Sequence, residues 1–172
     1  ARPLDVIEGP LMRGMNIDGG RRLDAAALCT RISLAKNNFE TPETIPDGGD
    51  LDGDAAVYQQ VAKLLYGRYQ AALRSFHAVD FDDLICEPVH LLSQFPELRE
   101  RWQRRYRYIL VDEYQDTNRA QLELLRLLAG GHHNLTVVGD DDQSIYAFRG
   151  ADVTNILAFE EHFEGAVVVK LE

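Results

Sequence analysis

Lysine and cysteine are both scarce in this chain of 172 residues, and their scarcity narrows the reading before any motif is considered. Cys29 and Cys86 are the two cysteines, far apart, in no CxxC pair and with no clustered histidines beside them. That excludes a disulfide scaffold and a thiolate zinc site, and fits two reduced thiols in a cytosolic protein. No apolar run approaches the roughly 18 residues that span a bilayer, and the opening ARPLDVIEGP has no signal-peptide core. The expectation is a soluble cytoplasmic protein. Only three residues are lysine (Lys36, Lys63, Lys170) and none follows a glycine, so the Gly-Lys-Ser/Thr of a phosphate-cradling P-loop is missing. Positive charge is also in deficit: the net charge of -10 argues against a chain that binds nucleic acid chiefly by blanketing it with cations. Local contacts remain open, because five arginines crowd RERWQRRYR at 99–107, where a solvated helix face is the simpler reading and phosphate contact the other.

What is present is ordinary for a folded protein. A hydrophobic fraction of 45% with 27% charged residues excludes disorder across the whole chain, and the length suits one domain with a smaller lobe. LDAAALCTRISLAKN at 23–37 predicts a helix with Leu23, Ala27, Ile32 and Leu34 inward. The acidic, Pro- and Gly-rich segment near 38–53 predicts a flexible surface loop. From Asp54, a candidate N-cap, a long amphipathic helix is predicted with Tyr58, Val61, Leu65, Tyr69, Ala72 and Phe76 on one face. VDFDDLICEPVHLLSQF continues in helix until Pro96, which suits the first turn of the next helix.

At residue 106 the pattern changes to strand, helix, strand: YRYILV, then QLELLRLLA ended by Gly130-Gly131, then LTVV. NILAFEEHF and AVVVKL predict a further helix and strand. The resulting expectation is an α/β fold, with residues 1–77 a helical subdomain, 78–105 helices leading back, and 106–172 part of a parallel sheet with flanking helices. The spacing of 28 residues between Asp112 and Asp140 is close to one βαβ unit, which places both strand ends on the same edge.

Ligands of open α/β sheets sit outside the carboxyl ends of the strands, and both strands here run from apolar residues into acids. Asp112 has the character of a Mg²⁺ ligand, since one or two carboxylates together with nucleotide oxygens suffice for that ion. Glu113, pointing elsewhere if the strand stays extended, is placed to accept a proton from an attacking water. Asp116 reads as a capping acid for the following helix. Asp140-Asp141-Asp142 does not match an EF-hand, whose sixth and twelfth positions would be Ile145 and Ala151. Gln143, just beyond, is of the kind that orients a water or touches a terminal phosphate.

Taken together, VDEYQDTN and VVGDDDQSIYAFRGA resemble the Walker B motif and the motif that follows it in superfamily 1 DNA helicases of the UvrD/Rep/PcrA type, and AVDFDDLI at 78–85 is similar to an element upstream. The likeness is strong from about residue 78 onward and faint before it. The resemblance implies a RecA-like ATPase core with a helical insertion, ATP and Mg²⁺ as cofactors, and single-stranded DNA and duplex junctions as partners. It assigns Mg²⁺ coordination to Asp112, water activation to Glu113 and γ-phosphate sensing to Gln143, and it directs Tyr146, Phe148 and Arg149 toward the DNA channel. The family commonly has tryptophan where Phe148 stands. Without a P-loop, and without the Gln-Asn-Tyr-Arg motif expected after Leu171-Glu172, the chain reads as a piece of such a helicase that lacks partner domains and hydrolyses no ATP by itself. A non-catalytic DNA-binding or interaction fragment, and the helicase part of a RecB-like helicase-nuclease, are the alternatives.

Overall fold

The computed structural model describes residues 23–49, 51, 53–144 and 150–170. The chain divides into two compact units, with the boundary between Cys86 and Glu87.

In the first unit, α1 (Ala25–Asn37) begins at Asp24, whose carboxylate accepts the Ala26 amide and so caps the helix. α2 (Asp54–Ser75) packs against it. Their shared core holds Leu28, Ile32 and Ala35 from α1 and Val61, Leu65, Tyr69 and Leu73 from α2. The α1 face is therefore turned from the expected one: Leu28 and Ala35 are central, while Leu23 packs at the margin. On α2 the expected stripe holds from Tyr58 to Ala72, but Phe76 lies beyond the helix and is exposed. Asp54 is the first residue of α2 and Gly53 its cap, so Asp54 acts on the helix dipole and not as N-cap. The stretch near 38–53 has an anchor that its composition hides: Ile45 is 1% exposed and belongs to the α1–α2 core. Nearby, Gln59 donates to the Pro46 carbonyl and Lys63 pairs with Asp47.

A charged cluster closes this unit. Lys36, the next-to-last residue of α1, is buried, with Nζ 2.7 Å from Asp80 Oδ2 and 2.5 Å from Asp83 Oδ1. Tyr69 donates its hydroxyl to Asp80 at 2.8 Å, and Asp80 and Asp83 accept each other's backbone amides. The third acid of this stretch, Asp82, accepts from Ser33 and Asn37 of α1. The AVDFDDLI segment is thus bolted to α1 by every acid that it carries. Burial opposes the charge of Asp80, but Lys36, the Asp83 amide and Tyr69 together hold its carboxyl below the usual range, whereas burial pushes Asp82 up despite its two donors.

α3 (Asp83–Gln94) crosses the boundary, and α4 (Pro96–Arg105) follows with Pro96 in its first turn. α4 buries no residue; Arg101, Arg104, Arg105 and Arg107 are exposed, as a solvated face requires. In the second unit β1 (Ile109–Val111), α5 (Arg119–Ala129) and β2 (Leu135–Val137) form the βαβ arrangement, and β1 and β2 pair in parallel with Ile109 opposite Leu135 and Val111 opposite Val137. Each strand is shorter than its apolar run. One face carries half-buried Ile109 and Val111, while Leu110 on the other is 72% exposed, so the strands are not covered on both sides by the described residues. Two short helices, α6 (Thr154–Leu157) and α7 (Phe159–His162), replace the single one expected. Residues 166–170 form no strand, and Val167, Val168 and Val169 are exposed.

Replacing Lys36 leaves Asp80 and Asp83 buried without their cation. Lys36→Met is expected to destabilise the first unit by about 3–5 kcal/mol in urea unfolding. The folded pKa of Asp80 lies below its ordinary 3.8, so its contribution is complete above that value and is lost as pH falls through the lower folded one. An Asp80→Asn variant is expected to flatten the acid limb of the stability curve, measured by denaturant unfolding at stepped pH.

Candidate functional site

The parallel pairing sends the chain out of β1 and β2 over the same edge, and the local backbone decides what happens there. Val138 donates its amide to Val111 at 2.8 Å, and its carbonyl accepts from Tyr114 at 3.0 Å. In a regular parallel ladder one residue would lie between those two partners. Here two do, Asp112 and Glu113, so the pair forms a bulge with one extra residue. Glu113 takes up the excess in the left-handed region, at φ 51° and ψ 43°. The condition of an extended Glu113 is not met: strand alternation ends at Asp112, and the bulge redirects the second acid. A side chain other than glycine pays roughly 1–2 kcal/mol for that conformation.

Asp112 is exposed, and its Oδ1 accepts the Glu113 amide at 2.9 Å. Beyond it, Tyr114–Asp116 makes one turn of 3₁₀ helix. Tyr114 is fully buried, set edge-on to Phe159 at 5.3 Å, and burial pushes its phenol up to about 12. Thr117 donates to the Tyr114 carbonyl, and its own carbonyl accepts from the Asp152 amide and the Asn155 side chain, tying the turn to α6. Asp116 does not cap α5. The cap is Asn118, which accepts the Gln121 amide while Gln121 returns a bond to the Asn118 amide. One carboxylate oxygen of Asp116 is buried without a partner among the described residues.

The second acidic turn is closed on itself. Asp140 caps the turn Asp141–Gln143: Oδ1 accepts the Asp142 amide and Oδ2 accepts Gln143 Nε2 at 2.7 Å. Asp140 leaves β2 over the same edge as Asp112, as the spacing predicted, but both of its oxygens are engaged locally. Gln143 is exposed and folded back on Asp140.

What connects the two turns is a residue that sequence reasoning passed over. Gln115 is 1% exposed; its Nε2 donates to Glu113 Oε2 at 2.7 Å, and its Oε1 accepts the Asp140 amide at 3.0 Å. A continuous chain of hydrogen bonds thus runs from Glu113 through Gln115 and Asp140 to Gln143. Periodicity carried no signal for it, since a glutamine between a tyrosine and an aspartate reads as polar loop. Tyr146, Phe148 and Arg149 lie outside the described residues.

A hard, exposed carboxylate at Asp112 suits an ion that brings most of its own oxygens. Among the described residues no group of three or more His, Cys, Asp or Glu side chains forms a dedicated metal cage.

Comparison with known proteins gives a consistent picture. The family model for the UvrD/REP helicase N-terminal domain matches residues 10–164. The chain is 44% identical to the ATP-dependent DNA helicase PcrA of Bacillus subtilis (strain 168), over 100% of its own length and 22% of that protein. It is 45% identical to the ATP-dependent DNA helicase Rep of Salmonella typhimurium over 84% of its length and 21% of that protein. The chain therefore spans about a fifth of the length of these curated relatives.

Gly139 is the narrow point of the site. A Cβ there would meet Gln115 Oε1 at 2.6 Å and Ile156 Cδ1 at 2.9 Å. Gly139→Ala is expected to displace Gln115 and to lower stability by about 1–3 kcal/mol, read from the shift of the denaturant midpoint.

Proposed function

Since the chain belongs to the UvrD/REP helicase family, we propose that it is a segment of an ATP-dependent DNA helicase that moves 3′ to 5′ on single-stranded DNA and opens duplex junctions. Residues 106–172 would be part of the RecA-like ATPase core, 78–105 the helices leading back to it, and 1–77 a helical insertion. The observation that carries this reading is the common edge: Asp112 and Glu113 leave β1 beside the turn in which Asp140 holds Gln143.

In this reading Asp112 holds Mg²⁺, using the exposed carboxylate whose other oxygen already rests on the Glu113 amide. The ion, when bound with ATP, would neutralise charge developing on the phosphate oxygens. Glu113 takes the proton of the attacking water, as its accessible carboxylate allows. Gln143 reads the terminal phosphate, exchanging its bond to Asp140 for one to the nucleotide. Tyr146, Phe148 and Arg149 contact the DNA strand, and a base stacked on Phe148 would contribute about 1–3 kcal/mol without regard to sequence. The relatives are named PcrA and Rep, which favours this reading over a helicase-nuclease.

The phosphate cradle of a P-loop is not encoded in these residues. The chain alone is therefore expected to show no DNA-stimulated ATP turnover in a steady-state assay; turnover that Glu113→Gln removes would refute the fragment reading. In the full-length protein, Glu113→Gln is expected to lower kcat by about 10²–10⁴-fold. Arg149→Ala should weaken single-strand binding and reduce its salt dependence, measured by fluorescence anisotropy over a salt series.

A further inference from the structure

We propose that Gln115 is a positioning residue, which aims the Glu113 carboxylate and makes that aim depend on the Asp140–Gln143 turn. The inference rests on the assignment of Glu113 as the proton acceptor. Gln115 has one acceptor and one donor end, and each meets the partner that its chemistry requires: Oε1 takes the Asp140 amide and Nε2 gives to the Glu113 carboxylate. Reversed, the amide would set oxygen against carboxylate and NH₂ against N–H, so the orientation is fixed by the partners themselves.

The surroundings are built for this side chain. Gln115 is 1% exposed, which gives it no solvent to fall back on, and Gly139 supplies the space that any Cβ would take from Oε1. The turn bearing Gln115 is anchored from below by fully buried Tyr114, and through Thr117 by α6. Glu113, by contrast, sits in a strained left-handed conformation on the exposed rim, where Gln115 is the side chain that holds its carboxylate among the described residues. A shift of the Asp140 amide therefore moves the glutamine, and the glutamine moves the acid. Gln143 hangs from the same Asp140, so a ligand that pulls Gln143 off Asp140 acts on the anchor of Glu113.

The test uses the full-length protein carrying this segment, with Gln115→Met, which keeps the length and removes both hydrogen bonds, and Gln115→Asn, which keeps the amide but is one methylene too short to reach both partners. Each is expected to lower DNA-stimulated kcat by about 10–100-fold while KM for ATP stays within about twofold, the signature of an interaction made in the reacting state. In a Glu113→Gln background, single-turnover rates should show no further loss from Gln115→Met, since Gln115 acts through Glu113. A packing role alone would lower the rate additively in that background and would overturn the inference, as would wild-type kcat in Gln115→Asn. Should Gln115→Met fail to fold, Gln115→Asn decides. Full activity in Glu113→Gln itself would instead remove the assignment of Glu113, a different failure read from a different variant.

Discussion

Three residues of β1 paired in parallel with three of β2 set the direction of everything that follows them. Parallel pairing requires a crossover, which α5 provides, and it forces both chains to leave by the same edge. Had the pairing been antiparallel, the DEYQD and GDDDQ turns would lie at opposite ends. Because it is parallel, one buried glutamine can touch both, and a chain of hydrogen bonds from Glu113 to Gln143 becomes possible without any long loop.

This arrangement was legible in the sequence because spacing alone determined it: two apolar runs ending in acids 28 residues apart, with a helix-patterned stretch between, leave little other than a βαβ unit. The bulge was not legible. A period of two assumes a regular strand, and nothing in the letters Asp-Glu-Tyr marks a left-handed residue. Gln115 stayed hidden for the same reason, as its two partners come from the bulge and from the other strand. The cap of α5 is readable in the letters, since Asn118 followed by Gln121 fits the capping-box pattern better than Asp116 does.

The helical unit shows the same division between local and distant information. The face of α2 followed from spacing, but the burial of Lys36 depends on acids 44 and 47 positions later, out of reach of any window. Ile45 was masked by composition, being one apolar residue among prolines, glycines and acids. In both cases a polar-looking segment is fixed by contacts to helices distant in the chain, which no local pattern reveals.

Glu113 adds a last consequence. A backbone in its conformation would rest more comfortably on glycine or asparagine, so a sequence selected only for folding would not keep an acid at that corner. In the role proposed for Glu113, the protein forgoes some robustness at this position in exchange for a carboxylate, and glycine or asparagine there would give a sturdier molecule without that acid.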